Sequence, residues 1–153
     1  MPRALILAAA LTCALALAAC DPSRKDGPAA QRVEVSLQEW TIEARPGAIP
    51  SGAVLFDVTN DGGGHDHELL VLRTDLPAGA LPTKPDGSVD EDAAGLEVVG
   101  ASGPIEPTET DGLPLTLDPG RYVLVCNIVE RLPGQPVKSH YQNGMYTSLL
   151  VRP

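Results

Sequence analysis

Short apolar runs separated by proline and glycine constrain the fold of this chain more than any other feature of its sequence. In residues 33–37 and 54–60, apolar side chains alternate with polar ones, which is typical of strands with one buried face. Proline and glycine occur 15 times each, and many of them lie between such runs, where they favour turns. The pattern predicts an all-β sandwich of short strands that forms a single domain.

Three other apolar runs predict further strands, at residues 68–72, 122–126 and 146–151, and the run 113–117 precedes a predicted turn at residues 118–121. The run 122–126 is apolar on both faces of a strand, which predicts a central position in its sheet. Residues 73–112 are the least regular part of the chain and are interpreted as one long insertion. Within this insertion, residues 90–98 suit a short helical turn, and residues 96–99 suit a strand instead.

The first 19 residues have the pattern of an export signal. Arg3 supplies a positive charge, and the apolar stretch that follows, about 13 residues long, is too short to cross a bilayer. Residues 17–20, Leu-Ala-Ala-Cys, resemble the bacterial lipobox, in which the cysteine is acylated. We expect residues 1–19 to be a lipoprotein signal peptide and Cys20 to be lipidated. The alternative is an ordinary signal cleaved near Cys20, which leaves a free protein.

A lipid on Cys20 would place the protein on a bacterial membrane, facing the periplasm or the cell exterior. Residues 20–32 are polar and are expected to form a flexible tether, with the folded domain at residues 33–153. The formal net charge of the whole chain is −9, and it becomes about −10 without Arg3. So acidic a chain argues against nucleic acid as a partner.

Cys126 is the one cysteine expected to keep a free thiol in the mature protein. Cys13 leaves with the signal and Cys20 is acylated, so Cys126 has no partner for an internal disulfide. An unpaired cysteine in an exported protein needs an explanation. It can be a buried small apolar residue, or it can be a thiolate that binds a metal. His140 and Met145 downstream favour the metal ligand.

A second imidazole lies upstream, at His65 or His67, and completes a set of soft ligands. Soft thiolate and thioether ligands favour copper, and two histidines and a cysteine with a weak axial methionine form the blue-copper electron-transfer site. His65 and His67 share a face in an extended chain. The three glycines at residues 62–64 permit tight or unusual backbone angles just before them.

Four segments of the chain occur in an order shared with one known family. They are the strand at residues 54–60 with its glycine loop, His67 with its strand, the turn and strand at residues 117–126, and the His-x4-Met spacing from His140 to Met145. Together they resemble the cupredoxins, the blue (type 1) copper family of plastocyanin and azurin. The resemblance covers most of residues 33–151, and together with the lipobox-like residues 17–20 it identifies the chain as a bacterial lipoprotein member of that family.

The resemblance implies a Greek-key sandwich with one copper ion, Cu(I) or Cu(II), at one end. It implies a thiolate ligand at Cys126, imidazole ligands at His67 and His140, and a long axial bond to Met145. His67 is favoured over His65 because it directly precedes the apolar strand, as in the family. His65 is then a surface residue or a neighbour of the ligands.

Two further features follow from the resemblance. In cupredoxins the backbone amide after the first histidine donates to the thiolate sulfur, and here that amide belongs to Glu68. The 13 residues between Cys126 and His140 exceed the spacing in most members. Residues 129–138 must therefore bulge outward, where they could cover the edge of His140, the usual electron exit in relatives.

The leading functional hypothesis is a one-electron carrier that works with an unidentified redox protein and is monomeric. We expect no enzyme activity, because multicopper oxidases flank the cysteine with histidines, whereas Val125 and Asn127 stand here. Two alternatives remain. One is a copper-trafficking lipoprotein, which the scarcity of spare histidine and methionine disfavours. The other is a metal-free cupredoxin-fold interaction domain.

Overall fold

A computed structural model describes residues 30–153, so the predicted signal, Cys20 and most of the tether lie outside the described residues. Within this range the chain forms strands joined by loops and one 3₁₀ turn, Ala78–Ala80. The strands are β1 Gln31–Gln38, β2 Thr41–Arg45, β3 Ala48–Pro50, β4 Gly52–Asn60, β5 Leu70–Arg73, β6 Glu97–Ala101, β7 Thr110–Leu117, β8 Gly120–Val125, β9 Val129–Glu130, β10 Lys138–Ser139 and β11 Tyr146–Arg152. In this described range no helix has the length and apolarity needed to span a membrane.

The strands form two main sheets and a small hairpin. The first sheet has the order β2-β1-β4-β7, and the second has the order β3-β11-β8-β5-β6. The pairs β1–β4 and β3–β11 are parallel, and the other pairs of strands are antiparallel. Strands that are neighbours in a sheet are often distant in sequence, so the chain crosses repeatedly between the sheets. The predicted all-β sandwich is confirmed.

The main core lies between the two sheets and follows the alternation of the sequence. Every second residue of β1 and β4 is buried there: Val33, Val35, Leu37, Val54, Phe56 and Val58. The second sheet contributes Leu124, Leu149 and Val151 to the same cluster. Cys126 and Met145 also belong to this cluster. The apolar core therefore extends without interruption to the residues predicted to bind copper.

A second core covers the outer face of β8, the central strand of its sheet. Val123 and Val125 of β8 pack there with Leu70 and Leu72 of β5. Leu81 and Val89, both from the long insertion, cover them. The insertion therefore covers the second sheet, which explains why β8 is apolar on both faces. The central position predicted for the run 122–126 is confirmed, because β8 is the middle strand of its sheet.

The insertion is fastened to residues that follow two of the predicted ligands. The hydroxyl of Tyr141 accepts from the amide of Leu81 at 2.9 Å and donates to the carbonyl of Ala78 at 3.0 Å. The side-chain amide of Asn127 accepts from Val89 N–H at 2.6 Å and donates to Val89 O at 3.2 Å. Of the two expectations for this part of the insertion, a helical turn at residues 90–98 and a strand at residues 96–99, the strand is confirmed, because β6 begins at Glu97.

Truncation of the main core tests the packing of the sandwich. Phe56 is fully buried, so we expect Phe56→Ala to reduce the free energy of unfolding by about 3–5 kcal/mol, through lost burial and a residual cavity. Urea denaturation measures this change. Leu150→Ala is the matched control, because Leu150 is 43% exposed, and its effect should stay within about 0.5 kcal/mol. Equal losses in the two variants would contradict the assigned core.

Candidate metal centre

Strand register brings the predicted ligands to one end of the second sheet. Cys126 directly follows β8, whose last residue, Val125, pairs with both Leu70 of β5 and Tyr146 of β11. His67 shortly precedes β5 and Met145 directly precedes β11. Both therefore lie beside the end of β8, on either side of Cys126. His140 arrives from the hairpin strand β10.

Three buried donor atoms meet at this end. The Nδ1 atoms of His67 and His140 are 3.1 Å apart, and the sulfur of Cys126 lies 3.3 Å from His140 Nδ1 and 3.8 Å from His67 Nδ1. All three residues are 0% exposed. A trigonal first-row ion about 2.0–2.3 Å from each donor separates the donors by about 3.5 Å. The triangle of two nitrogens and one sulfur therefore fits such an ion.

Met145 is buried next to the triad, and its backbone is bonded to two members of it. Its N–H donates to the carbonyl of His140 and its carbonyl accepts from the N–H of Cys126, both at 3.1 Å. Gly144 permits this tight return because its φ of 111° lies in a region that side chains disfavour. The His-x4-Met segment is thus a compact turn that fixes His140 and Met145 relative to Cys126.

The sulfur of Cys126 receives a backbone hydrogen bond from Glu68 N–H at 3.4 Å. Burial raises the pKa of Cys126 to about 12, although the amides of Glu68 and Ile128 oppose this shift. Burial also lowers the pKa values of His67 and His140, with their mutual repulsion lowering that of His67 further. At neutral pH the triad therefore holds a neutral thiol and two neutral imidazoles, and a cation bound there would displace the thiol proton.

His65 lies outside the triad. Its Nδ1 is 2.5 Å from a carboxylate oxygen of Glu130, and its side chain is 33% exposed. The three-residue group with converging donors, within the described part of the chain, contains His67 and not His65. Of the two histidines that the sequence offered, the structure thus brings His67 to Cys126 and leaves His65 as a neighbour.

The glycine loop before His65 serves a different purpose from the expected one. Residues 62–64 do not have left-handed backbone angles. Instead, the carboxylate of Glu39 accepts from the amides of Gly63 and Gly64 at 3.3 and 3.2 Å. A Cβ on Gly62 would lie 2.9 Å from both Glu39 oxygens. A side chain at residue 62 would therefore displace this carboxylate, whereas a Cβ on Gly63 or Gly64 would meet no atom within 4 Å.

The extra residues between Cys126 and His140 form the hairpin β9–β10, which covers the His140 edge. Glu130 of β9 places Oε1 2.9 Å from His140 Nε2, and Lys138 of β10 lies 3.4 Å from the other carboxylate oxygen. Although burial opposes ionisation, the hydrogen bond to His140 and the charges of His65 and Lys138 lower the pKa of Glu130. Its carboxylate is therefore ionised at neutral pH.

Trp40 closes the same side of the site. Its ring lies 5.0 Å from that of His140 in an edge arrangement and 5.4 Å from that of His65. The ammonium of Lys138 lies 5.0 Å above the indole, a cation–π contact. Sequence reasoning missed Glu130 and Trp40 as neighbours of the ligands, because neither has a motif and both reach the site through tertiary packing.

The sandwich, its strand order and the buried Cys-His-His triad at one end together define the cupredoxin fold. The fold predicted from four sequence segments is therefore confirmed. Among similar solved structures, auracyanin from Roseiflexus castenholzii has a TM-score of 0.56 and 18% identity, covering 81% of this chain and 98% of its own. Auracyanin A from Chloroflexus aurantiacus has a TM-score of 0.53 and 18% identity, covering 79% and 98%.

Reduced rusticyanin has a TM-score of 0.53 and 18% identity, and the match covers 79% of this chain and 78% of that one. At this level of identity the likeness shows the fold. No family model matches the sequence, and no curated protein matches it significantly.

The protonation state of the triad predicts proton release on metal binding. At pH 7.5 we expect about one proton per bound divalent ion, because Cys126 starts as a thiol and both imidazoles start neutral. Calorimetry in buffers of different ionisation enthalpy measures this number. Cys126→Ala should remove the proton release even where weak binding to the histidines survives. A binding heat that does not depend on the buffer would contradict the assigned protonation state.

Proposed function

We propose that this protein is a type 1 (blue) copper protein that carries single electrons. The observation that carries the proposal is the fully buried triad of one sulfur and two imidazole nitrogens at the end of a rigid sandwich. Sulfur and imidazole ligands with a nearby thioether suit copper. Auracyanin A is described as a "blue" copper protein and rusticyanin as a copper protein, which supports the same ion here.

In this proposal His67, Cys126 and His140 hold the ion, and Met145 is the weak axial ligand. When bound, copper supplies a one-electron couple between Cu(I) and Cu(II). The N–H of Glu68 disperses the negative charge of the thiolate. The ends of β8 and β11 and the turn between His140 and Met145 fix the donors, so little rearranges when an electron is gained or lost. Burial of all three donors excludes water from the ion.

The setting of this function is proposed from the sequence. A lipid on Cys20 and the tether at residues 20–32 hold the domain at the outer face of a bacterial membrane. There it exchanges electrons, as a monomer, with a redox protein, and the net negative charge favours a partner with a basic docking surface. The alternative of copper trafficking requires ready release of the ion, which fully buried donors disfavour.

The visible spectrum tests the copper site. The chain from residue 21 onward, given Cu(II), should show an intense thiolate-to-copper band that Cys126→Ala abolishes. His67→Ala should also lose the band, whereas His65→Ala, the matched histidine control, should keep it, because His65 lies outside the triad. A colourless protein that binds Cu(I) through Cys126 would favour trafficking. Failure to bind either ion would leave a metal-free interaction domain.

Substitution of Met145 tests the axial ligand. Met145→Leu keeps a buried apolar side chain of similar volume but removes the thioether. We expect the blue band to remain and the reduction potential to rise, because loss of a donor destabilises Cu(II) more than Cu(I). Voltammetry of the two proteins measures the change. Unchanged spectrum and potential would show that Met145 only fills the core.

A further inference from the structure

The edge of His140 that points away from the triad meets a carboxylate. His140 places Nδ1 in the triad, and its Nε2 lies 2.9 Å from Oε1 of Glu130. An imidazole that binds a metal through Nδ1 carries its proton on Nε2. With a metal in the triad, His140 therefore donates this N–H to Glu130. Carboxylates in this position fix the tautomer and orientation of a ligating histidine and make it a stronger donor.

Glu130 is itself held in place from several directions. Its strand β9 pairs with β10, in a register that sets Glu130 opposite Lys138 and Val129 opposite Ser139. Lys138 lies 3.4 Å from Oε2, and His65 Nδ1 lies 2.5 Å from Oε1. The side chain of Glu130 is 16% exposed. These contacts fix the position of the carboxylate beside His140, and solvent reaches only a small part of the side chain.

The other imidazole lacks an equivalent partner. His67 Nε2 is buried and has no hydrogen-bond partner among the described residues. A carboxylate oxygen of Glu39 lies 3.8 Å from this nitrogen, beyond hydrogen-bond range, and already accepts from Gly64 N–H. The two histidines of the triad are thus unequal, and only His140 is bonded to an anion.

We propose that Glu130 is a positioning residue that holds His140 as a metal ligand and lowers the reduction potential of the site. The inference rests on the proposed copper function. Cu(II) carries one more positive charge than Cu(I), so a fixed anion bonded to a ligand stabilises the oxidised state more than the reduced one. Glu130 belongs to the hairpin β9–β10, which the extra residues between Cys126 and His140 form. In this proposal the hairpin therefore covers the site and also lowers its reduction potential.

Three variants separate charge from shape. Glu130→Gln keeps a carbonyl oxygen that can accept the His140 N–H but removes the charge. Glu130→Ala removes both. Glu97→Gln is the matched control: it makes the same charge change at an exposed position opposite Arg73, at the end of β5 away from the triad. The first measurement is the reduction potential of each copper-loaded protein. The second is proton exchange at His140 Nε2 in the Zn(II)-loaded protein, followed by NMR.

We expect Glu130→Gln to keep the blue band and to shift the equilibrium between the oxidation states toward Cu(I) by about 10- to 100-fold. Glu97→Gln should leave this equilibrium nearly unchanged. The His140 N–H should exchange slowly in the wild type and in Glu130→Gln, and rapidly in Glu130→Ala. The proposal is overturned if Glu130→Gln shifts the potential no more than Glu97→Gln, or if the wild-type N–H exchanges freely.

These measurements distinguish the inference from the proposed function. A copper-loaded wild type without a blue band overturns the proposed function and, with it, the role in setting the potential. The Zn(II)-loaded protein has no redox chemistry, so it tests the positioning of His140 separately. A slow N–H in Zn(II)-loaded wild type that becomes fast in Glu130→Ala supports positioning by Glu130 whichever ion the site holds in the cell.

Discussion

Burial of β8 on both faces is the constraint on which the rest of the structure depends. A strand that is apolar on both sides must be covered twice. The first sheet covers one side, and the long insertion, through Leu81 and Val89, covers the other. Cys126 directly follows this doubly covered strand, so its thiol is buried inside the protein. The insertion in turn is fastened to Asn127 and Tyr141, and thus stabilises the segments that carry Cys126 and His140.

Desolvation determines the chemistry of the triad. Removal of water makes the thiolate costly, and the pKa of Cys126 rises to about 12 as a result. The same desolvation keeps the imidazoles of His67 and His140 neutral and able to bind a cation. The ionised carboxylate of Glu130 is hydrogen-bonded to the imidazole of His140, on the edge of the ring that points away from the triad. Because the Cys126 thiol must lose its proton before it can bind a cation, the attraction between thiolate and cation has to offset the free-energy cost of this deprotonation.

The sequence predicted the sandwich because alternation in β1 and β4 is local, and it predicted the gathering of Cys126, His67 and His140 through spacing and family likeness. It did not predict β3, a short strand that exists through parallel pairing with the distant β11. Nor did it predict that Glu130 and Trp40 lie beside the ligands. In the sequence Glu130 has no motif that marks it, and it reaches His140 because β9 pairs with β10. Such contacts arise from tertiary packing, which has no periodic signal along the chain.

The cover over His140 also has a consequence for how fast the centre exchanges its ion. The hairpin, Trp40 and Glu130 leave the imidazole with no exposed surface, and the other two donors are equally buried. An ion can reach or leave the triad only when part of this cover opens, as in a local unfolding event. Retention of the metal is then governed by the frequency of opening rather than by affinity alone. Loading of the folded domain and loss of its ion would therefore both be slow, and both would be limited by the same opening.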